Sequence, residues 1–501
     1  MSAALLVAGT TSDAGKSIVT TGLCRAFARR GLKVAPFKAQ NMSNNSMVCS
    51  SGTREADVEM AEIGRAQWIQ ALAARAVPEA AMNPVLLKPG GDRRSHVVVM
   101  GQPGGEISSA EFIGGRTHLG EAAHAAYDDL ASRFDIVVCE GAGSPTEINL
   151  RAGDYVNMGL ARHAEIPTIV VGDIDKGGVF AAMYGTVALL SADDQRLVAG
   201  FVINKFRGDE TLLAPGVARL EQLTGRRVFG TLPWSPDLWL DSEDALDLDG
   251  RRSVERDAAL RVAVIRLPRI SNFTDVDALG LEPGVDVTFV SDARSLGDAD
   301  LVVVPGTRAT ISDLAWLRSR GLDVAIRAHA AAGRPVLGIC GGFQLLGRSV
   351  DDPDGIEGPA GASAEGLGLL DVITTFGADK VLRLPTGSAL GAPASGYEIH
   401  HGRISRGSGE EFLGGARAGS VFGTMWHGSL ESDALRRAFL VEAATLAGRA
   451  YEPSTVSFGE SREARLDLLG DLVEQCLDVD ALLDLATHGA PADLPFLAPG
   501  A

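Results

Sequence analysis

A short apolar run, a glycine-containing loop and a helical pattern follow one another at the start of the chain. The apolar run covers residues 3–8, and the loop over residues 9–17 reads Gly-Thr-Thr-Ser-Asp-Ala-Gly-Lys-Ser. In this context backbone N–H groups cradle phosphates, and the N-terminus of the helix adds a favourable dipole. We expect Lys16 to reach the β and γ phosphate oxygens and the Ser17 hydroxyl to bind Mg²⁺. The N-terminal part is therefore predicted to be a parallel α/β domain around a phosphate-binding loop.

The loop departs in one place from the common pattern G-x-x-x-x-G-K-S. Thr10 stands at the first glycine position, and Gly9 comes one residue earlier. This shifted form resembles the dethiobiotin-synthetase-like branch of P-loop proteins, whose members make acyl phosphates. A helix N-cap beside a chance Gly-Lys-Ser is the alternative. The strand before the loop and the helix after it favour phosphate binding.

Two later apolar runs end on side chains suited to a nucleotide site. Glu140 follows the run 135–139, and Asn204 follows the run 197–203. Open α/β sheets bind ligands at the carboxyl ends of their strands. Glu140 is expected to complete the Mg²⁺ shell opposite Ser17, although a turn or helix cap is the simpler alternative. The Asn204 amide can both donate and accept, which suits it to reading adenine.

The length of the chain and its net charge indicate how many domains it has and which partners it is expected to avoid. A chain of 501 residues is too long for one core, so two domains and a tail are expected. The net charge of -18 opposes non-specific binding to nucleic acid or to an anionic membrane. An anionic substrate must therefore meet a local basic patch. The candidate basic residues are Lys38, Lys88, Arg93, Lys176, Lys205 and Arg207, and Arg94 forms a short basic cluster with Lys88 and Arg93.

Cysteine usage and hydropathy predict a cytoplasmic protein. The five cysteines are widely spaced and include no CxxC pair, which argues against a disulfide framework or a zinc site. No apolar run reaches the roughly 18 residues of a membrane span, and no basic region precedes the start. The reducing cytoplasm is the expected compartment.

The second catalytic signal is a lone cysteine between glycines. Cys340 lies in Gly-Ile-Cys-Gly-Gly over residues 338–342, directly after an apolar run. This pattern resembles the nucleophile elbow of α/β hydrolases with cysteine in place of serine. The following helix directs its N-terminal dipole at the sulfur and favours the thiolate. A buried cysteine in an ordinary strand-to-helix turn is the alternative. Gln344, four residues later, lies on the same helical face.

Several residues would complete a glutaminase around Cys340. Gly306, at the end of the apolar run 301–304, and Gly341 can offer N–H groups to a tetrahedral intermediate. His427 lies in a Gly-Thr-x-x-His-Gly block that resembles the class I glutamine amidotransferases, and it is the expected base. Whether His401 takes part in catalysis is left open. Many class I enzymes carry His-x-Glu, whereas here Glu431 comes four residues after His427, so the third triad member stays open.

The motifs together resemble the cobyric acid synthases, a family of glutamine-dependent amidotransferases of cobalamin biosynthesis. The resemblance runs from the first residue to about residue 440. It rests on the blocks 11–17, 37–43, 83–89, 140–145, 172–181, 204–209 and 267–275. For the last block we have no independent chemistry.

The resemblance implies a reaction and a set of ligands. The reaction is ATP- and glutamine-dependent amidation of the b, d, e and g carboxylates of adenosylcobyrinic (or hydrogenobyrinic) acid a,c-diamide, which gives cobyric acid through an acyl phosphate. ATP, Mg²⁺ and glutamine are the expected small molecules, with a corrinoid substrate and no nucleic acid or membrane partner; a homo-oligomer is left open. Gln344 would hold the glutamine, and Thr11, Gly15 and Asn204 would contact the nucleotide. The expected substrate contacts are Lys38, Gln40, Asn41, Lys88, Lys176 and Arg207.

Fold and domains follow from these assignments. The fold class is α/β, with an N-terminal P-loop, dethiobiotin-synthetase-like parallel-sheet domain and a C-terminal class I glutamine amidotransferase-like α/β domain. We predict an amidoligase domain over 1–250, a glutamine amidotransferase domain over 256–450 and a helical tail over 451–501. Helical spacing in the tail predicts an amphipathic helix that packs on the body or on a second subunit, with Cys476 structural.

Three other proteins fit parts of the sequence. Cobyrinic acid a,c-diamide synthase shares both domains, but the blocks 12–17 and 40–43 favour the cobyric form. CTP synthase shares the domain order, yet it would carry His-x-Glu near the C-terminus. A P-loop regulatory ATPase with an inert glutaminase-like domain is the alternative of another class. The presence of Cys340, Gln344 and His427 argues against it.

Overall fold

Two α/β halves, each with its own large sheet, make up the chain. The computed structural model describes residues 2–52, 59–91, 94–108, 117–235 and 259–498. A parallel sheet flanked by helices in each half confirms the predicted fold class. The predicted boundary between residues 250 and 256 lies outside the described residues, and the division into domains stays a prediction.

The N-terminal half alternates strands and helices. Its strands are β1 (Ala3–Gly9), β2 (Val34–Phe37), β3 (Gln40–Met42), β4 (Ser46–Ser50), β5 (Met60–Gly64), β6 (Val85–Gly91), β7 (Arg94–Val99), β8 (Gln102–Ser108), β9 (Ile136–Glu140), β10 (Thr168–Asp173), β11 (Val198–Phe206) and β12 (Arg227–Pro233). Its α-helices are α1 (Lys16–Arg29), α2 (Arg65–Ala73), α3 (Thr117–Arg133), α4 (Met158–Ala164), α5 (Val179–Ala188), α6 (Ala192–Gln195) and α7 (Ala214–Thr224). The apolar runs 3–8, 135–139 and 197–203 form β1, β9 and β11 within one to three residues.

The order of the main N-terminal sheet places the phosphate loop at a switch point. The order is β12-β11-β10-β1-β9-β2, and all of these pairs are parallel. The chain leaves β1 toward β2 on one side, while β10 lies on the other side. Crevices at such points, beyond the carboxyl ends of the strands, bind ligands in open α/β sheets. The loop after β1 and Glu140, the last residue of β9, both lie at this edge.

A second N-terminal sheet includes part of the polar stretch from Lys38 to Ser46. A polar stretch directly after an apolar run is typical of a loop, but this one contains β3. That strand pairs in parallel with β6, with Gln40 opposite Val85, in a sheet of order β3-β6-β7-β8. The pairing joins residues about 45 positions apart, so no local pattern announces it. The sheet lies next to the C-terminal half and forms part of a shared cavity.

The C-terminal half has the second large sheet. Its strands are β13 (Leu260–Ile265), β14 (Val285–Val290), β15 (Leu301–Val304), β16 (Val336–Ile339), β17 (Ser349–Asp352), β18 (Ala362–Glu365), β19 (Val372–Arg383), β20 (Thr386–Ala389), β21 (Ala392–Ser395), β22 (Glu398–Arg406), β23 (Glu410–Phe412), β24 (Gly415–Ala418) and β25 (Val421–Thr424). Its helices are α8 (Thr310–Ser319), α9 (Leu322–Ala331), α10 (Gly341–Leu346) and α11 (Asp433–Ala447). The main sheet has the order β14-β13-β15-β16-β25-β24-β23 and is parallel from β14 to β25. The ends of β15, β16 and β25 therefore meet at one edge.

Two helices after residue 451 pack on the N-terminal half. They are α12 (Phe458–Cys476) and α13 (Val479–His488), and their apolar residues join the core beneath α1. A Cβ at Gly22 of α1 would lie 2.4 Å from Val473, so the glycine permits the close helix contact. The buried Arg25 also contacts Glu463 at 2.6 Å. The predicted amphipathic helix thus packs on the body, and Cys476 is half-buried within it.

Buried polar contacts join the two halves. The backbone N–H of Ser46 donates to Asn272 at 2.8 Å, and Arg65 contacts Glu431 at 2.8 Å. Lys380 contacts the fully buried Glu62. Because buried charges are costly unless paired, these contacts hold the two halves in a defined relation. Among the described residues, no helix combines the length and apolar character needed to cross a bilayer.

Candidate active site

Cys340 lies on a strained turn between β16 and α10. Its backbone has φ 48° and ψ -109°, a conformation that costs a non-glycine residue about 1–3 kcal/mol. A Cβ at Gly342 would lie 1.9 Å from the carbonyl oxygen of Val304, so this turn requires the flanking glycine. The strained turn that the sequence predicted is present. By contrast, burial raises the pKa of the Cys24, Cys49 and Cys139 thiols, which keeps them protonated.

His427 faces Cys340 and is held by a carboxylate. Its Nδ1 lies 2.7 Å from Oδ2 of Asp275, and the other Asp275 oxygen accepts the Gly428 N–H at 2.7 Å. Burial lowers the pKa of His427, but the charges and hydrogen bonds of Asp275 and Cys340 outweigh it and raise the pKa to about 10. The Tyr397 ring stacks on the imidazole at 5.3 Å. This arrangement favours the imidazolium form of His427 beside Cys340.

Asp275 is therefore the carboxylate that contacts His427, and we propose it as the third triad member, which sequence reasoning left open. Glu431 does not contact His427: it binds Arg65 and, at 2.5 Å, Arg462. Asp275 precedes His427 by 152 positions in the chain. The only sequence signal was its place at the end of the family-like block 267–275.

The predicted oxyanion and glutamine residues surround the thiol. A Cβ at Gly341 would lie 2.8 Å from the Thr307 nitrogen, and one at Gly306 would lie 3.0 Å from Cε1 of His427. The two backbone segments thus approach closely beside Cys340. Gln344 is buried, and the Thr310 hydroxyl donates to its side-chain oxygen at 3.4 Å. Cys340, His427 and Gln344 all line one cavity of about 250 Å³.

The far wall of this cavity comes from the N-terminal half. Lys88 lies there, and its ammonium contacts the buried Glu62 at 2.5 Å. Burial lowers the pKa of Lys88 to about 8, although Glu62 opposes this shift. His401 also lines the cavity. Burial, with the charges of Lys380 and Arg308, lowers its pKa to about 4, so His401 is neutral at pH 7.

The phosphate loop forms the second group of predicted residues. The Lys16 ammonium donates to the carbonyl oxygens of Thr11 at 2.9 Å, Ser12 at 3.0 Å and Gly143 at 3.2 Å. The loop turns at Gly15, where φ is 98° and a Cβ would lie 1.9 Å from Nδ2 of Asn204. That Asn204 nitrogen donates to the Ala14 carbonyl at 2.9 Å. Asn204 therefore supports the loop, and its contact with adenine stays a prediction.

Glu140 is the centre of a buried polar cluster below this loop. One carboxylate oxygen accepts from the Ser17 hydroxyl and from the Lys38 ammonium, both at 2.9 Å. The other accepts from the Gln70 amide at 2.5 Å. Mg²⁺ prefers oxygen ligands and uses one or two carboxylates together with phosphate and water. The adjacent Ser17 and Glu140 oxygens fit such an ion.

The remaining predicted residues lie at the margins of these groups. Lys176 is exposed and 3.7 Å from Asp13, and Arg207 contacts Asp175 at 2.9 Å. Gln40 accepts from the Tyr155 hydroxyl at 2.6 Å, beside a cavity of about 110 Å³. The buried Asn41 donates to Gln67 at 3.0 Å. The side chains of Arg93 and Arg94 lie outside the described residues.

The structure thus brings the predicted residues into two sites. Thr11, Gly15, Lys16, Ser17, Lys38, Glu140 and Asn204 gather at the edge of the N-terminal sheet, with Lys176 and Arg207 nearby. Gly306, Gly341, Gln344 and His427 gather around Cys340. Lys88 belongs to the second site by position, although it was predicted to contact the same substrate as Lys38.

Comparison with known proteins identifies a family model for each half of the chain. A family model for the CobQ/CobB/MinD/ParA nucleotide binding domain matches residues 5–247, and one for the CobB/CobQ-like glutamine amidotransferase domain matches residues 261–435. The cobyric acid synthases of Mycolicibacterium gilvum and Mycobacterium marinum are each 73% identical to the chain over 498 residues, covering 99% of both proteins. The chain belongs to the cobyric acid synthase family. That of Mycobacterium tuberculosis is 72% identical over 500 residues, again with 99% coverage.

As a member of this family the protein is an enzyme, a glutamine-dependent amidotransferase with a nucleotide-binding domain. The alternative of an inert glutaminase-like lobe finds no support in the geometry. His427 contacts Asp275 at 2.7 Å and is hydrogen-bonded to Cys340, as a nucleophile site of this kind would require.

Asp275→Asn is expected to lower the glutaminase kcat of this cobyric acid synthase family member by about 10²–10⁴-fold, because the amide neither fixes the tautomer of His427 nor stabilises the imidazolium. The pKa of His427 should fall from about 10 toward its ordinary value. The rate of Cys340 alkylation by iodoacetamide at neutral pH should fall with it. Exposed Asp298→Asn serves as the control, and an unchanged alkylation profile in Asp275→Asn would contradict the assignment.

The raised pKa of His427 makes the stability of the folded protein depend on pH. The folded-state pKa of His427 lies above its ordinary value of 6.5, so the charged imidazole stabilises the fold fully below pH 6.5. That contribution is lost as the pH rises toward 10. Urea unfolding across this pH window should show a smaller decline in stability for Asp275→Asn than for the wild type.

Proposed function

We propose that the enzyme amidates the b, d, e and g carboxylates of adenosylcobyrinic (or hydrogenobyrinic) acid a,c-diamide with ATP and glutamine, to give cobyric acid. The observation that carries the proposal is the presence, on one chain, of the Cys340 site and the phosphate loop with Glu140. The names of the relatives supply the corrinoid.

The first half-reaction takes place at Cys340. The thiolate attacks the side-chain amide carbon of glutamine, and the Gly306 and Gly341 N–H groups stabilise the oxyanion. His427, oriented by Asp275, gives its proton to the leaving nitrogen, and ammonia departs. Water then attacks the thioester with His427 as base, which releases glutamate and restores the thiol.

The second half-reaction takes place at the phosphate loop. Lys16 and the loop N–H groups would hold the ATP phosphates, and Ser17 and Glu140 would hold Mg²⁺, which supplies charge neutralisation when bound. The substrate carboxylate attacks the γ-phosphorus, ADP leaves, and ammonia displaces phosphate from the acyl phosphate. Each amidation consumes one ATP, one glutamine and one water. Lys38, Lys176 and Arg207 offer positive charge to the polyanionic corrinoid, beside Gln40 and Asn41.

Mass spectrometry of the products tests the proposal. The protein is incubated with ATP, Mg²⁺, glutamine and a cobyrinic acid a,c-diamide. Four successive losses of about one mass unit, each an OH replaced by NH₂, are expected. Cobyrinic acid itself, offered as substrate, should not gain amides at the a and c positions; two amidations there would instead indicate an a,c-diamide synthase. ATP turnover without any mass change in either acid would refute the corrinoid assignment.

We also propose that the enzyme acts in the cytoplasm. All five cysteines are free, which suits a reducing cytoplasm. We propose no nucleic-acid or membrane partner, in keeping with the net charge of -18. Light scattering would measure whether the enzyme forms a homo-oligomer.

A further inference from the structure

The tail segment, residues 454–497, has no part in the mechanism above, yet it contacts both halves of the protein. At its start, the Ser454 hydroxyl donates to Glu282 at 2.7 Å. The Val456 carbonyl accepts from Arg436 at 3.0 Å. Glu282 and Arg436 also form a fully buried ion pair with each other inside the C-terminal half. The tail segment is therefore fixed to the C-terminal half before α12 begins.

The rest of the tail segment packs against one face of the main N-terminal sheet. Apolar residues of α12 and α13 share a core with β1 and α1. Acidic residues of both tail helices pair with the basic residues of α1: Arg25 with Glu463 at 2.6 Å, Arg29 with Asp467 at 2.8 Å and with Asp471 at 2.6 Å, and Arg30 with Asp480 at 2.7 Å. Near the end of the segment, the Leu497 N–H donates to the buried Gln195 at 2.8 Å. Because α1 begins at Lys16, the tail segment also supports the helix of the phosphate loop.

A cluster of opposite charges lies where the two halves and the tail segment meet. Glu431 is in the turn that follows His427. Its carboxylate contacts Arg65 of α2 at 2.8 Å and Arg462 of α12 at 2.5 Å. Both guanidinium groups also lie over the Trp68 ring, 5.0 Å and 5.1 Å from its centroid. Arg65, Glu431 and Arg462 are only 2%, 19% and 15% exposed, so solvent screens their attraction weakly. One carboxylate of the C-terminal half thus binds a cation from the N-terminal half and another from the tail segment.

The cavity at Cys340 has a wall from each half, so its closure depends on how the halves are held. Cys340, Gln344 and His427 line it from the C-terminal half, and Asn44 and Lys88 line it from the N-terminal half. Ammonia that leaves the thiol site therefore enters a space bounded by both halves. The acyl phosphate is proposed to form at the phosphate loop, in the other half. Ammonia that escapes into the solvent on the way is diluted and lost to the reaction.

We propose that the tail segment, through Arg462, holds the two halves closed around this cavity, so that ammonia from Cys340 reaches the acyl phosphate instead of the solvent. This inference rests on the proposed function, because it requires both half-reactions. Arg462 is a positioning residue. Its contacts, Glu431 and the rings of Trp68 and Phe458, lie outside both sites. Without the guanidinium, α12 loses its ion pair with the turn after the catalytic histidine.

The first test measures how much of the released ammonia becomes amide. Wild type, Arg462→Ala and Arg462→Lys are compared, and exposed Arg219→Ala is the matched control. Each protein is incubated with glutamine, ATP, Mg²⁺ and a cobyrinic acid a,c-diamide. Amide, glutamate and free ammonium are measured in quenched portions of the same reaction. The wild type should form nearly one amide per glutamate. Arg462→Ala should lower that ratio by about 2-fold or more, with the missing nitrogen recovered as free ammonium.

The second test measures closure of the halves directly. The Ser46 N–H is buried and bonded to Asn272 across the two halves at 2.8 Å. Because local opening exposes such a group to solvent, the peptide that contains Ser46 should exchange its amide hydrogen about 10-fold faster in Arg462→Ala. The Arg219→Ala control should exchange at the wild-type rate. Arg462→Lys keeps the charge and should restore part of both the protection and the amide ratio.

Two activities distinguish an opened enzyme from a damaged one. Glutaminase kcat/KM and amidation driven by added ammonia should stay at wild-type rates in Arg462→Ala, because each takes place within one half. Equal losses of both activities in Arg462→Ala and Arg462→Lys would overturn the proposal. So would unchanged exchange at Ser46, or faster exchange with an unchanged amide ratio. A wild type that forms no corrinoid amide would refute the proposed function and the ammonia transfer with it, and exchange at Ser46 would still decide whether Arg462 holds the halves together.

Discussion

Replacing Cys340 by alanine should reduce glutamine-dependent amidation by about 10³-fold or more, because the substitution removes the atom that attacks the glutamine amide. Amidation with ammonia should persist, since acyl-phosphate formation takes place at the phosphate loop of the other half. The fold should be retained, because alanine keeps the Cβ of cysteine at φ 48° and its smaller side chain adds no new strain to the turn. Product mass spectrometry with either nitrogen donor measures both activities.

The half-buried Cys476 in the tail supplies the matched control. Cys476→Ala should retain both activities, because burial raises the pKa of its thiol and no catalytic group lies beside it in the described structure. Glutaminase activity that survives in Cys340→Ala would contradict the assignment of the nucleophile. Loss of the ammonia-driven reaction in that variant would contradict the separation of the two sites.

Replacing Glu140 by glutamine should have the opposite pattern of effects. Amidation should fall by about 10³-fold with both nitrogen donors, because the change removes the carboxylate proposed to bind Mg²⁺. It also leaves the Lys38 ammonium buried without its charged partner, which costs about 3–5 kcal/mol when a buried pair is broken. Glutaminase at Cys340 should remain. Amide products, ADP and glutamate are measured separately, and urea unfolding reports the stability.

Glu140→Asp separates the two effects. It keeps the charge but shortens the reach, so Lys38 stays partly compensated while the contact with Ser17 at 2.9 Å is lengthened. Exposed Glu165→Gln controls for the loss of one carboxylate. Full ATP-dependent amidation by Glu140→Gln would refute the metal role, and a loss of glutaminase equal to that of amidation would show that the fold, not the site, had failed.

The strands of the two large sheets could be predicted from the sequence, because the apolar runs that indicate them are local patterns. Continuous apolar runs such as 301–304 predict buried parallel strands, and glycines around Cys340 predict a strained turn. The phosphate loop, its helix and the carboxylate of Glu140 could likewise be placed at one sheet edge, because each follows an apolar run and parallel strands present their carboxyl ends at the same edge. Those expectations needed no knowledge of distant contacts.

The contact between Asp275 and His427 could not be predicted from local sequence patterns. Its carboxylate reaches His427 only because β15, β16 and β25 end at the same edge as the turn that contains Asp275. Lys88 shows the same limit of sequence analysis, because its position in the fold also depends on distant contacts. Its place among the basic residues and the family resemblance suggested substrate contact, yet the fold buries it against Glu62, in the cavity that contains Cys340.

By itself, the sequence determined the fold class and the pairing of a nucleotide-binding half with a glutamine amidotransferase half. It also predicted Cys340, His427, Lys16 and Ser17 as site residues, because each lies in a motif of residues within a few positions of one another. Only the tertiary structure decided which carboxylate contacts His427, that the tail packs on α1, and that Lys88 shares a cavity with the thiol. Those pairings join residues far apart in the chain, and their energy comes from burial and charge compensation that exist only once the two halves have packed together.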